Sequence, residues 1–343
     1  MRIGVLTGGG DVPGLNAAIR AVARRAFQFG WEVVGVKNGW QGMVEGLYEE
    51  MTPKSVSGIL HVGGTMLGTS RTNPLKDPKK MEKVFENFKA MRLDALVAIG
   101  GDDTLGVAAA LTEKGLPAVG VPKTMDNDVA ETDYCIGFDT AVTTVADALD
   151  KLHTTATAHH RVIVVEVMGR DAGWVAVVGG LAGGADYILA PEAAVSMDEL
   201  CAHLTKRRDM GKNFAILVVS EGAKVTDLPE EGEDLGEKDA FGHVRLDRRS
   251  MGERVAKEIE RRIGFEARTV VLGHLQRGGS PTVFDRVLAT RLGVFAVDLI
   301  RDGRFGHMAA LKGNKIVAVD LKTAMSRNKV VDLELYQMAK VFF

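Results

Sequence analysis

Short apolar runs alternate with longer stretches of helical spacing along most of the chain. An apolar run too brief for a helix, closed by glycine or charged residues, reads as a buried strand. Residues 2–7, 32–36, 95–99, 117–121, 161–167, 186–190, 214–220, 269–272 and 315–319 fit that description. Apolar positions recur at helical spacing over 15–29, 79–91, 105–114, 139–157, 174–181, 197–208, 251–263 and 283–300. Nearly every predicted strand is therefore followed by a helix, which calls for largely parallel sheets. Glycine-plus-charge loops close strands in both halves of the chain. The expected fold class is α/β, with two similar three-layer domains of largely parallel sheets facing a shared cleft. The expected division is 1–138 plus about 276–326, and 139–275 plus about 327–343.

The densest chemistry lies between residues 99 and 128. One apolar run stops at Gly100-Gly101 and is followed by Asp102, Asp103 and Thr104. The next ends in Pro122-Lys123-Thr124, then Asp126-Asn127-Asp128. In a parallel sheet both loops leave the same edge, where ligands bind. Carboxylates beside bare glycine backbone and a lysine suit Mg²⁺ and phosphate. Asp102 and Thr104 are also helix-capping residue types. For either loop alone that reading stands equally well, and two such loops on consecutive strands favour a shared site. Gly8-Gly9-Gly10-Asp11 precedes a predicted helix and forms a candidate anion cradle. It matches neither the Walker A pattern nor GxGxxG. Residues 63–71 are a second small-residue loop ending in Arg71, which also reads as a plain surface turn. His159 and His160 have no metal spacing and read as structural.

Charge and composition narrow the partners. Lys plus Arg total 43 against 45 acidic residues, for a net charge of −2. No basic excess exists to neutralise nucleic-acid phosphates. No signal peptide or membrane-length apolar run is visible, so neither nucleic acid nor membrane is an expected partner. Cys135 and Cys201 lack metal or redox spacing, which fits a reduced, cytoplasmic setting. Residues 223–249 are charged and poor in apolar side chains, and are expected to form a mobile surface insertion. The apolar tail, 330–343, is expected to dock on the body.

Seven stretches now stand in a telling order. They are GGGDVPGLNAAIR (8–20), GGTMLGTSR (63–71), GGDDT (100–104), PKTMDND (122–128), MGRDAGW (168–174), EG (221–222) and GHLQRGGSP (273–281). Together they resemble the phosphofructokinase family over roughly residues 1–320. The resemblance implies phosphorylation of fructose 6-phosphate at its 1-hydroxyl to give fructose 1,6-bisphosphate, within glycolysis or gluconeogenesis. It makes Asp126 the general base, with Asp128, Thr124 and Arg170 completing the catalytic group. It gives Mg²⁺ to Asp102, and the donor phosphates to Gly10, Arg71, Asp103 and Lys123. Thr124, Asp126, Met168, Gly169, Arg170, Glu221, His274 and Arg277 would bind or orient the sugar phosphate. Arg161 and Arg268 match positions that reach a neighbouring subunit's sugar phosphate, so a homo-oligomer, dimer or tetramer, is implied. The first domain would then serve the donor and Mg²⁺, the second the sugar. These residue types suit phosphoryl transfer, which needs positioning and charge neutralisation more than covalent help.

Two positions depart from the usual family pattern. ATP-using members usually carry glycine where this chain has Asp103 and Lys123. The pair resembles the pyrophosphate-dependent branch, so the implied donor is pyrophosphate and the reaction reversible. ATP-dependent 6-phosphofructokinase activity, and use of sedoheptulose 7-phosphate as a further acceptor, remain open alternatives. Other kinase classes with a GGD-T loop lack the second acidic loop and the later RGGSP. A non-enzymatic sugar-phosphate binder would not need Asp102 or Asp126.

Overall fold

The computed structural model describes residues 1–228 and 250–343. They form two compact units: residues 1–140 with 277–329, and residues 141–228 with 250–276 and 330–343. Both are α/β with largely parallel sheets.

The first unit opens with β1 (Arg2–Thr7), α1 (Leu15–Gln28), β2 (Glu32–Val36), α2 (Trp40–Glu45) and β3 (Tyr48–Met51). It continues with α3 (Pro78–Ala90), β4 (Ala95–Gly100), α4 (Asp102–Glu113) and β5 (Ala118–Pro122). α5 (Phe138–His159) then leads into the second unit, built from β6 (Val162–Val167), α6 (Trp174–Ala182), β7 (Tyr187–Leu189), α7 (Met197–Asp209), β8 (Ala215–Ser220), α8 (Met251–Ile263) and β9 (Ala267–Val271). The chain returns to the first unit through α9 (Val283–Arg301), β10 (His307–Lys312), β11 (Lys315–Asp320) and α10 (Leu321–Ala324). α11 (Leu333–Ala339) closes the second unit.

The first sheet runs β11-β10-β5-β4-β1-β2-β3, parallel in its centre and antiparallel at both edge pairs. Alternation along the strands separates its two faces. Leu6, Val34, Leu96 and Ala98 join Trp40, Met43, Val84, Phe88 and Leu105 in one buried cluster under α2, α3 and α4. The other face is covered by α1 and α9, which meet closely because Gly293 leaves no side chain: a Cβ there would lie 2.8 Å from the Ala21 methyl. The second sheet is wholly parallel, in the order β7-β8-β6-β9. Val162, Val164, Leu217 and Val219 pack under α7 and α8 through Leu200, Leu204, Val255 and Ile259. α6 covers the opposite face, with Gly180 against Ile188 and Val218.

The structure adds elements that the apolar pattern does not reveal. β3 and β10 were not expected: β3 is an edge strand of mostly polar residues, and β10, an inner strand, has a buried run of only four residues, two of them alanine. α4 begins at Asp102 rather than at 105. Most of the expected insertion, 229–249, lies outside the described residues. Its first part is packed: Ala223 is buried, and the Asp227 carboxylate accepts from the Met197 N–H and pairs with Arg262 at 2.7 Å. The tail docks as expected. Tyr336 is buried and its hydroxyl donates to the Ile188 carbonyl at 3.0 Å, while Phe343 stacks on Tyr187.

One buried carboxylate fastens the two ends of the first unit. Asp285, in the first turn of α9, accepts from the Gly137 N–H at 2.9 Å, the Thr140 N–H at 2.8 Å and the Thr140 hydroxyl at 2.6 Å. It is fully buried. Removing it takes away the acceptor that these three donors share. Asp285→Ala should lower the free energy of unfolding by about 2–4 kcal/mol in urea titrations. A loss under about 0.5 kcal/mol, the range of neutral surface changes, would contradict this reading.

Candidate active site

Strand register brings the candidate loops of the first unit together. Thr7 pairs with Ile99, and Gly100 with Pro122. The ladder runs one residue further, with the Gly8 N–H on the Ile99 carbonyl at 3.0 Å and the Lys123 N–H on the Gly100 carbonyl at 2.9 Å. Loops 8–11, 101–104 and 123–128 therefore leave three adjacent strands side by side, with about 4.8 Å between neighbours. Gly101 is the N-cap of α4, and no side chain caps it. Asp102 and Asp103 thus occupy the helix's first turn, where the macrodipole favours carboxylates. The capping reading of Asp102 and Thr104 does not hold. Thr104 is instead buried as a wedge: a Cβ on Gly8 or Gly100 would come within 2.5 Å or 2.3 Å of its side chain.

Lys123 is 3% exposed. Its ammonium donates to the Gly10 carbonyl at 2.5 Å, which ties the second acidic loop to the glycine cradle. Burial, and then the Arg277 charge, push its pKa down to about 8, although Asp102, Asp11 and Asp126 pull the other way. Arg277 lies on the bare face of Gly10, where a Cβ would meet Nη1 at 2.3 Å, and Nη1 donates to the Asp11 carbonyl at 3.3 Å. The arginine expected beside the sugar phosphate thus sits with the glycine cradle of the first unit. The cradle is also braced by the 63–71 loop. Thr69 Oγ1 donates to the Gly9 carbonyl at 2.5 Å, and the Gly9 N–H to the Ser70 carbonyl at 3.3 Å. Asn16 holds that loop, donating to the Val62 and Gly63 carbonyls and accepting from the Met66 N–H at 2.8 Å. Arg71 follows on the surface.

The second acidic loop concentrates like charge. The Asp126 N–H donates to Thr124 Oγ1 at 3.1 Å. Desolvation, then the charges of Asp126 and Asp102, push Asp128 up to about 7, with a Thr124 hydrogen bond opposing. Between the two acids stands Asn127, buried and with positive φ.

In the second unit, adjacent strands β8, β6 and β9 likewise end together. The loop after β6 carries Met168, Gly169 and Arg170. Gly169 has φ +136°, and a Cβ there would collide with the Ala172 carbonyl at 2.7 Å. A Cβ on Gly222 would meet the Arg170 carbonyl at 1.9 Å, so the two loops touch backbone to backbone. Ser220 donates to the Gly169 carbonyl, and the Glu221 N–H to the Val167 carbonyl at 2.9 Å. Buried Gln276 accepts from the Met168 N–H at 3.3 Å, which sets the turn bearing His274. Met168, Gly169, Arg170, Glu221 and His274 thus share one sheet edge.

Arg161 and Arg268 do not. They lie at the opposite, amino-terminal edge, where Val162 pairs with Ala267 and Ile163 with Arg268. The length of β6 puts them roughly 16 Å from the other loops. Glu266 pairs with both arginines, at 2.9 Å and 2.5 Å.

A family model described as Phosphofructokinase matches residues 2–300.

The chain belongs to the phosphofructokinase family.

It is 54% identical over its whole length to the complete pyrophosphate--fructose 6-phosphate 1-phosphotransferase of Amycolatopsis mediterranei, and 50% identical to that of Dictyoglomus thermophilum, 99% of which is covered. It is 48% identical, over 99% of each chain, to ATP-dependent 6-phosphofructokinase 3 of Streptomyces coelicolor. Pichia pastoris phosphofructokinase in the T-state superposes with a TM-score of 0.83 at 31% identity. That alignment covers 99% of this chain and 36% of the yeast chain, so this phosphofructokinase spans about a third of its length.

Within this phosphofructokinase, residue patterns alone missed three contributors. The Asp11 carbonyl anchors Arg277, Asn127 separates the two acids, and Lys329 donates its backbone N–H to the Asp128 carbonyl at 2.7 Å. Two motifs offered a signal, GGGDVPGLNAAIR for Asp11 and PKTMDND for Asn127, and neither pointed to Lys329. Among the described residues no group of three or more His, Cys, Asp or Glu side chains forms a metal cage, and no helix is long and apolar enough to cross a membrane.

Burying Lys123 works against folding. A lysine with a lowered folded-state pKa costs stability while it is charged in both states, and the cost disappears as pH rises from about 8 to the unfolded value. Lys123→Met should therefore raise the ligand-free unfolding free energy at pH 7 by about 1–3 kcal/mol. The gain should shrink by pH 10, as chemical denaturation at both pH values would show. A less stable variant at pH 7 would contradict it.

Proposed function

We propose that this chain transfers a phosphoryl group between pyrophosphate and the 1-hydroxyl of fructose 6-phosphate, reversibly. The observation that carries the choice of donor is the joint presence of Asp103, in the first turn of α4, and Lys123, buried on the glycine cradle. Two like unit charges about 4 Å apart, at an effective dielectric near 20, repel by roughly 4 kcal/mol. Half of that disfavours the longer phosphate chain of ATP more than tenfold. Lys123 supplies a cation to a donor with no nucleoside to house. Gly10, Arg71, Asp103 and Lys123 hold the donor in this reading.

Asp126 takes the proton of the sugar hydroxyl as it attacks. Thr124 holds Asp126 through its backbone N–H, Asp128 stands beside it in the catalytic group, and Arg170 balances charge on the transferred group. Arg170 suits that role: its Nε is buried with no hydrogen-bond partner among the described residues. Thr124, Met168, Gly169, Glu221, His274 and Arg277 orient the acceptor. Mg²⁺ fits the acidic edge, where burial and then the charges of Asp126 and Asp102 raise the pKa of Asp128. Asp102 would hold the ion, since Mg²⁺ is commonly bound by one or two carboxylates plus phosphate oxygens. When bound, it neutralises phosphate charge. A cytoplasmic setting fits two buried, unbridged cysteines.

The position of Arg161 and Arg268 supports an oligomer. At the far edge of their own sheet they serve a neighbouring copy's sugar phosphate. Asp126→Asn and Arg268→Ala should each lower turnover by about 10²-fold or more. Unfolding and refolding the two variants together should restore activity well above either alone. Mixed protein no more active than its parents would rule out sites shared between subunits.

The donor assignment makes a paired demand. Asp103→Gly should admit ATP, and Lys123→Gly should weaken use of pyrophosphate. The double variant should shift the ratio of kcat/KM values further than either single change, because both residues act on one ligand. Unchanged ratios in all three variants would overturn the roles of Asp103 and Lys123.

A further inference from the structure

We infer that Asn127 is a positioning residue for the acid pair, holding Asp126 and Asp128 in a reactive arrangement without touching either substrate. The inference rests on the proposed role of Asp126 and adds a requirement for how that carboxylate is aimed.

Asn127 is 1% exposed and has φ 52°. That conformation is uncommon outside glycine, and asparagine is among the few side chains that tolerate it. One residue in the left-handed region reverses the local course of the chain, so the direction of Asp128 relative to Asp126 depends on it. Both ends of the side chain are engaged. Its Nδ2 donates to the Asp133 carbonyl at 3.2 Å, and its Oδ1 accepts from the buried Cys135 N–H at 2.9 Å. The carboxamide therefore closes a ring of backbone from 127 to 135.

A second set of bonds holds the same ring from outside. The Lys329 ammonium donates to the Thr132 carbonyl at 2.8 Å and the Asp133 carbonyl at 2.9 Å. Its backbone N–H fixes the Asp128 carbonyl at 2.7 Å, and Val129 pairs with Asn328 in a short antiparallel bridge. β10 adds a third anchor. The Leu311 N–H donates to Thr132 Oγ1 at 3.0 Å, and the Asp133 N–H to the Leu311 carbonyl at 2.9 Å. Such restraint is more than a surface turn needs. It suits a place where two carboxylates of like charge must be kept close, because their repulsion would otherwise open the loop.

A displacement of about 1 Å at reacting groups can cost on the order of 10²-fold in rate. Loosening this ring should therefore reduce turnover while leaving substrate binding largely intact. Asn127→Gly keeps the left-handed backbone and removes both side-chain bonds. Asn127→Ala removes the bonds and strains the backbone as well. Lys329→Met releases the ring from the outside.

The test compares these variants with Asp126→Asn, each as the full chain. Calorimetric titration with fructose 6-phosphate alone counts intact sites, and steady-state turnover is divided by that count. The expected result is a site count and dissociation constant near those of the unmutated protein in Asn127→Gly. Its kcat per site should be at least about tenfold lower, and lower again in Asn127→Ala. Asn127→Gly combined with Lys329→Met should lose less than the product of the two single losses, since both act on one ring. If kcat per intact site stays within twofold of the unmutated protein in Asn127→Gly, the inference fails. If turnover falls only in proportion to the site count, Asn127 is merely structural and the inference also fails. Asp126→Asn separates this from the wider reading: near-normal turnover there would remove Asp126 as the base, whatever Asn127 does.

Discussion

The candidate site depends on three parallel strands ending side by side. With β1, β4 and β5 in register, the glycine cradle, the start of α4 and the second acidic loop have one small edge to share. Charge is then concentrated there by geometry. Burial and the charges of Asp126 and Asp102 raise the cost of ionising Asp128, and Lys123 is buried against the Gly10 carbonyl despite its own desolvation. Such an arrangement is unfavourable for a resting protein and useful for a ligand that brings both phosphate oxygens and a cation. Stability lost at this edge is recovered elsewhere, in the apolar faces of the sheet and in fully satisfied groups such as Asp285.

The second unit solves a milder problem. Its loops carry less charge and need close backbone approach, which Gly169 and Gly222 provide. The same sheet separates two sets of arginines by the length of a strand. Arg170 stands at the carboxyl edge, and Arg161 and Arg268 at the other, gathered around Glu266. A parallel sheet cannot bring both sets to one ligand within one chain.

Much of this was legible in the order of residues. Apolar runs bounded by glycine located β1, β2, β4, β5, β6, β7 and β8, since buried parallel strands leave that trace directly. β3 escaped because Tyr48-Glu49-Glu50-Met51 reads as surface, and β10 because its buried run, Met308-Ala309-Ala310-Leu311, is short and half alanine. The start of α4 was placed late because Asp102 and Asp103 look like a loop, although first-turn acids are favoured by the helix itself. The motifs named the residues of both edges. They did not show that Arg277 lies on Gly10, that Thr104 fills the space of two absent side chains, or that Asn127 and Lys329 hydrogen-bond to the backbone of residues 128–135. Those facts depend on contacts between residues far apart in the chain, which no local pattern encodes.

The central claim is that Asp103 and Lys123 reshape a phosphofructokinase edge for a donor without a nucleoside. The most direct measurement is kcat/KM of the unmutated protein for pyrophosphate and for ATP, with fructose 6-phosphate saturating and Mg²⁺ present. The electrostatic account predicts a preference for pyrophosphate of more than about tenfold. Equal values, or a preference for ATP, would contradict it.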